Sequence, residues 1–310
     1  MASLKIPQSL LGNLYWLMIS GYVVLLAASY LRYGILFQFS LGLYSLVALP
    51  VIFVLGKSKE FIRNWIPFLV LLLSYEALQG IAGILAQSGS IVSLYGYDTM
   101  FWGFNLTGTV QSALSSPTLT TITSLLYSLH FPLIIVATVL LWYTDRRNYG
   151  KYVYALILTS YLSLVTFVLI PTAPPWYSGA ATNAFGSTSG PGAPLVSWLA
   201  QISRAIESDK FAAFPSLHAA YVILFCYFVT KSRHKLGWVA IPVTVGVLFS
   251  TIYLGQHYLI DLLGGAAYAL GSVAVIELVS RKKFGARLFQ NHSAIVVENS
   301  LPAARAENAE

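Results

Sequence analysis

This chain of 310 residues reads as all-α, a polytopic membrane bundle of about eight transmembrane helices. Three observations lead there. Hydrophobic residues make up 57% of the chain and charged residues only 9%. The apolar residues gather in runs of about 18 or more, which at about 1.5 Å per residue are long enough to cross a bilayer core. The basic residues, finally, fall in alternate connecting segments, the pattern of a chain that crosses a membrane repeatedly.

The runs, in order, are 14–31, 35–55, 66–87, 121–143, 152–170, 211–230, 236–254 and 258–279. The first is taken as a retained helix rather than a signal peptide, because no small-residue cleavage site stands out after it. Of the 18 basic residues, 15 lie near the ends or in one set of loops: Lys5, Lys57, Lys59, Arg63, Arg146, Arg147, Lys151, Lys231, Arg233, Lys235, Arg281, Lys282, Lys283, Arg287 and Arg305. The opposite loops hold only Arg32, Arg204 and Lys210. This bias puts both termini in the cytoplasm and explains the net charge of +7 without a nucleic-acid partner. Cys226 is the single cysteine, so an intrachain disulfide and a cysteine metal site are both excluded.

Two loops are long, and both fall on the outer side. The first, 88–120, carries Tyr95-Gly96-Tyr97-Asp98 and Phe101-Trp102-Gly103-Phe104, aromatic content that suits a segment at the membrane interface. The second, 171–210, opens on Pro171-Thr172-Ala173-Pro174-Pro175-Trp176-Tyr177, runs through a Gly/Ser/Ala/Pro-rich stretch, and then has helix-like apolar periodicity over Leu195 to Ile206. Asn105-Leu106-Thr107 is a glycosylation acceptor if the host is a eukaryote.

The chemistry is concentrated in Phe214-Pro215-Ser216-Leu217-His218 and Gln256-His257-Tyr258-Leu259-Ile260-Asp261. Ionisable groups in or near lipid are functional candidates by default, because placing them there is costly. His257 and Asp261 are four apart and share a helix face. His218 is separated from them by two spans, so both ends return to one membrane surface. A carboxylate on one ring nitrogen fixes a histidine's tautomer and leaves the other nitrogen nucleophilic. A second histidine can protonate a departing alkoxide and then deprotonate the incoming nucleophile. Ser216 stands at a helix start, where backbone N–H groups favour an anion. Together these describe phosphoryl transfer through a phosphohistidine. A metal would need further ligands, and beside these three the outer half of the bundle offers no histidine or cysteine except His130. A lone histidine at a membrane edge is often structural, bonded to a carbonyl.

The pattern Pro215-Ser216-Leu217-His218, then Ser250, six residues, His257, three residues and Asp261, resembles the second and third motifs of the type 2 phosphatidic acid phosphatase (PAP2) superfamily. More specifically, Ala173-Pro174-Pro175-Trp176-Tyr177, Phe214 to His218, and Tyr253-Leu254 with His257-Tyr258 and Asp261 resemble its inositolphosphotransferase branch, typified by inositol phosphorylceramide synthase. Tyr75-Glu76, Gln79-Gly80 and His130-Phe131-Pro132 are similar to bacterial members. The resemblance implies a six-helix catalytic core within a catalytic membrane domain at 65–280. The apolar runs put two further helices before it in 1–64, and the polar composition after it makes 281–310 a disordered cytoplasmic tail. It implies that His257 is the nucleophile, Asp261 its orienting partner and His218 the general acid/base, with Ser216 and nearby amides on the phosphate. No metal or cofactor is implied. The substrate is a phospholipid or lipid phosphate, and the hydroxyl acceptor is open: water makes the enzyme a lipid phosphatase, a lipid or polyol makes it a transferase. A non-catalytic lipid-binding or lipid-moving relative is the reading from another class.

The sequence also departs from the superfamily. No Arg-Pro dipeptide occurs, Thr251 replaces the arginine of the third motif, and Leu217 replaces the glycine of the second. Lys210 and Arg204 are the candidates to replace the missing cationic clamp. Glu76, Gln79, His130, Trp176 and Tyr177 are candidate substrate-binding residues; Glu76 and His130 serve equally well as packing or carbonyl-bonding groups. Glu277 is expected to be solvated or paired with Arg281 one turn on.

Overall fold

The structure, a computed structural model, describes residues 78, 90–185, 192–206, 210–232 and 235–281. The expected spans at 14–31, 35–55 and 66–87, and with them Glu76 and Gln79, lie outside the described residues. Those described form helices joined by two very short strands. In chain order these are β1 (Val92–Ser93), α1 (Tyr95–Trp102), α2 (Leu106–Leu114), α3 (Pro117–Ser128), α4 (His130–Thr144), α5 (Arg146–Leu169), β2 (Thr172–Ala173), α6 (Ala193–Ile206), α7 (Leu217–Lys231), α8 (Gly237–Tyr253) and α9 (Leu259–Arg281).

Local chemistry sets the boundaries. The Asn105 side chain accepts the Gly108 amide and starts α2, Asp145 accepts the Asn148 amide and starts α5, and Ser216 accepts the Ala219 amide and starts α7. Pro117 occupies the first turn of α3, where its missing N–H costs nothing. Asn105 also donates to the Ala180 carbonyl at 2.7 Å, and Thr107 is fully buried. The glycosylation tripeptide is thus occupied as a helix cap and loop tie. The sixth span begins at Leu217 rather than 211, because residues 211–214 are drawn into extended pairing with Thr172.

Helices α5 and α9 are each long and apolar enough to cross a membrane; α3 and α4 together make a third such segment, bent by 43° at Leu129. α7 and α8 are shorter apolar helices. α7 is central, packing against α4, α5, α8 and α9. Its buried Ala220, Tyr221, Leu224, Phe225 and Phe228 meet Ile134, Leu141 and Trp142 of α4, Tyr152 and Leu156 of α5, and Ala269 and Val273 of α9. Hydroxyls join the helices where lipid offers no partner: Ser160 to Tyr221 at 2.9 Å, Thr166 to Tyr268 at 2.7 Å, and Thr120 to Tyr253 at 3.0 Å. Outward, α8 exposes Trp238, Ile241 and Val245 at helical spacing, an apolar stripe that a bilayer would cover.

At the basic end of the bundle the expectation for Glu277 is corrected. Its carboxylate bridges Lys151 of α5, at 2.8 Å, and Lys231 of α7, instead of pairing with Arg281. Lys151 is nearly inaccessible, and burial makes its pairing decisive where a solvated i,i+4 contact would add little. Glu277→Ala, which leaves Lys151 without its carboxylate, is expected to cost about 3 kcal/mol. Thermal unfolding of the solubilised protein should show a lower Tm, partly recovered when Lys151→Met is added.

The opposite end gathers the loops. β1 pairs in parallel with β2, Val92 against Thr172 and Ser93 against Ala173. Thr172 also bonds the 211–214 segment, its amide donating to Phe211 O at 2.7 Å and its hydroxyl accepting the Phe214 amide at 2.7 Å. This small knot ties both long loops to the entry of α7. Among the described residues it is the one departure from a purely helical reading, and it positions the site.

Candidate active site

His218 sits in the first turn of α7 and His257 in the turn between α8 and α9. They are 39 residues apart in sequence, yet His257 Nε2 lies 3.3 Å from His218 Nδ1. His257 Nδ1 is 3.1 Å from the Ala213 carbonyl and 3.5 Å from Asp261 Oδ2. A carbonyl can only accept, so Nδ1 carries the hydrogen and, in the neutral ring, Nε2 is the bare nitrogen. Asp261 shares the orienting task with Ala213. Its Oδ2 also accepts the Tyr258 amide at 2.8 Å, which closes the turn that carries His257. Asp261 is fully buried, and its Oδ1 has no hydrogen-bond partner among the described residues.

Two backbone contacts hold the halves together. The Ser216 amide donates to the Asp261 carbonyl at 3.0 Å. Gly265 of α9 lies so close to α7 that a Cβ there would stand 2.2 Å from the Ser216 carbonyl oxygen. Ser216 is fully buried and its hydroxyl oxygen is engaged as the cap of α7. α7 starts beside the histidine pair, so the positive end of its dipole lies close to His218 in its first turn.

The other expected residues are placed unevenly. Lys210 is exposed and forms no hydrogen bond or ion pair with a described residue. Arg204 is on α6, but its side chain lies outside the described residues. Trp176 is half-buried, and its amide donates to the Gly255 carbonyl at 3.2 Å, so the 171–177 segment braces the His257 turn. Tyr177 is exposed and packs edge-on against Phe211. His130 is buried, bonds the Tyr127 carbonyl at 2.8 Å and packs against His218, so both behaviours open to it in the sequence occur together.

Two participants were not singled out by sequence reasoning. Asp98 of α1 is 1% exposed, and its Oδ1 accepts the Ile260 amide at 3.1 Å at the start of α9. Burial raises its carboxyl above the usual carboxylate range, an effect the Ile260 amide opposes. An acid in an otherwise uncharged aromatic segment was the available signal. Tyr127 stacks on His218 with ring centroids 4.3 Å apart; nothing marks it among the 20 tyrosines.

Residues 94–275 match the family model described as the PAP2 superfamily. The chain belongs to the PAP2 superfamily. Within this superfamily its similarity is to inositol phosphorylceramide synthases and a phosphoinositol dihydroceramide synthase. It is 25% identical over 249 residues to an inositol phosphorylceramide synthase of Candida albicans, covering 75% of this chain and 52% of that protein. It is 26% identical over 136 residues to a phosphoinositol dihydroceramide synthase of Bacteroides thetaiotaomicron, covering 41% of this chain and 45% of that protein. An inositol phosphorylceramide synthase catalytic subunit of Saccharomyces cerevisiae is 24% identical over 238 residues, with 70% and 57% covered. The chain thus spans about half the length of the curated relatives it matches. No solved structure matches it. The PAP2 match encloses His218, His257 and Asp261, together with Asp98, Tyr127 and His130.

Proposed function

We propose that the protein is a membrane-embedded lipid phosphotransferase that carries a phospho-headgroup on His257 and delivers it to a lipid hydroxyl. The observation that carries this reading is the histidine pair itself: a bare His257 Nε2, oriented by Ala213 and Asp261, 3.3 Å from His218 Nδ1. The two rings hydrogen-bond directly at rest. They part to admit the phosphorus atom, with His257 Nε2 on one side of it for in-line attack and His218 on the side of the leaving oxygen.

In the first step His257 Nε2 attacks phosphorus, an N–P bond forms, and the bond to the leaving lipid oxygen breaks. His218 gives that oxygen its proton. In the second step the acceptor hydroxyl passes its proton to His218 and attacks phosphorus, and the N–P bond breaks to restore His257. Asp261 stabilises the ring while it carries the phosphoryl group. The first-turn amides of α7 stand in for the arginines of other PAP2 proteins, with Lys210 and Arg204 as further contacts to the phosphate and Trp176 and Tyr177 as contacts to the headgroup or acceptor. The catalytic domain spans 65–280.

The substrate class follows the relatives' names. The donor is a phosphoinositol lipid and the acceptor a ceramide or dihydroceramide. The test is to incubate purified protein with labelled phosphatidylinositol, with and without ceramide. Transfer is expected as a new labelled lipid that appears only with ceramide. Soluble labelled inositol phosphate formed without ceramide would mean hydrolysis. No product of either kind would leave a lipid-binding relative. In the proposed orientation the site faces the outer leaflet and both termini the cytoplasm. In a Cys226→Ala background, Ser178→Cys should react with an impermeant thiol reagent in intact cells and Lys235→Cys should not. The reverse labelling overturns the orientation.

A further inference from the structure

We propose that His130 is a positioning residue for this transfer: together with Tyr127 it clamps the His218 ring so that Nδ1–H faces His257. The inference rests on the reading of His218 as the general acid/base, and it gives His130 a role other than substrate contact.

The observations begin at the bend between α3 and α4. His130 follows Leu129, where the segment turns by 43°. Its Nδ1 lies 2.8 Å from the Tyr127 carbonyl, three residues back, and must donate to it. Pro132, which cannot donate to the Ser128 carbonyl four residues back and crowds it, accounts for the kink, and the His130–Tyr127 bond lies in the same turn. The bend turns both rings toward α7. His130 meets His218 with centroids 3.7 Å apart, and Tyr127 stacks on the same imidazole at 4.3 Å and 23°. Phe131 and Phe185 back the pair, with centroids 3.8 Å from His130 and 4.8 Å from Tyr127. Both His130 and Tyr127 are 2% exposed, so neither is placed to hold a lipid directly.

The clamp has a chemical consequence. His257 Nε2 is an acceptor in the resting state, so the His218 nitrogen facing it must bear hydrogen. A His218 ring free to turn about its Cβ–Cγ bond would present Cδ2 in place of Nδ1, losing the hydrogen bond that fixes its tautomer and its proton-transfer geometry in part of the population. Tyr127 stacked on the ring and His130 beside it, their own centroids 5.6 Å apart, restrict that freedom, which for a general acid is a direct gain in rate. His130 itself is held by the Tyr127 carbonyl, so the clamp is built from one bend rather than from two independent side chains.

The test compares His130→Asn, which keeps an N–H for the Tyr127 carbonyl but loses the ring, with His130→Phe, which keeps the ring. Both are made in the full-length protein in detergent micelles. Turnover of labelled phosphatidylinositol with ceramide gives kcat and KM, and nitrogen NMR of labelled histidines reads the His218 tautomer. His130→Asn is expected to lower kcat on the order of tenfold with KM little changed, and to mix the His218 tautomers; His130→Phe should stay within about threefold with one tautomer. A single His218 tautomer in His130→Asn overturns the clamp, as does damage in His130→Phe equal to that in His130→Asn. If the unaltered protein turns over no lipid, the transferase reading fails. The tautomer comparison then decides the role of His130 alone.

Discussion

His257→Asn is expected to abolish lipid transfer, by about four orders of magnitude or more, while leaving the protein folded. Asparagine can still donate to the Ala213 carbonyl that His257 Nδ1 now contacts at 3.1 Å, so the turn keeps one of its ties. It has no nucleophilic nitrogen to replace Nε2. Lost turnover with an unchanged melting profile therefore isolates chemistry from stability. The covalent step has its own signature: the native protein, mixed briefly with labelled donor and quenched in alkali, should carry label on histidine, since a phosphoramidate survives base better than acid. The variant should carry none. Substantial turnover by the variant, or label elsewhere in the chain, would remove His257 from the nucleophile's role.

Gly265→Ala is expected to damage folding and transfer together. Its Cβ would stand 2.2 Å from the Ser216 carbonyl oxygen and 3.1 Å from the Ala219 Cβ. The first of these is backbone at the capped start of α7, which cannot rotate away. α9 and α7 must move apart, costing about 1–3 kcal/mol. The same movement separates Asp261 and His257 from His218, and a displacement of about 1 Å at reacting groups costs about a hundredfold in rate. Melting temperature and transfer rate should therefore fall together. The neighbouring Gly271, where a Cβ meets nothing within 4 Å, is the control: Gly271→Ala should leave both unchanged. Equal behaviour of the two variants would contradict the close approach of α7 and α9.

Much of the site was legible before any coordinates. The four-residue spacing of His257 and Asp261 announces their contact, although His257 lies in the turn before α9 rather than on a shared helix face. His218 follows from counting spans between charged loops, because membrane topology converts parity into sidedness. The short helix over Leu195 to Ile206 was readable from apolar periodicity and appears as α6. The partners of Glu277 were not legible: Arg281 is its neighbour in sequence, whereas Lys151 is 126 residues away and reaches it only because α5 packs on α9. The start of α7 was misread by six residues for a similar reason. Apolar Phe211 to Phe214 look helical by composition, but Thr172 claims their backbone. Asp98 escaped notice because its importance lies in an amide 162 residues further on.

What the amino-acid order determined alone is therefore the class of molecule and which titratable groups meet at the candidate site: apolar length makes helices that cross lipid, and titratable residues survive there only where chemistry or pairing offsets their desolvation. What the tertiary structure alone decided is how those groups face one another. The His257 tautomer depends on the Ala213 carbonyl, the approach of α7 to α9 on the missing side chain of Gly265, and the setting of His218 on a bend at Leu129. Hydrogen bonds and steric contacts act over a few ångströms between residues far apart in the chain, and no local pattern records them.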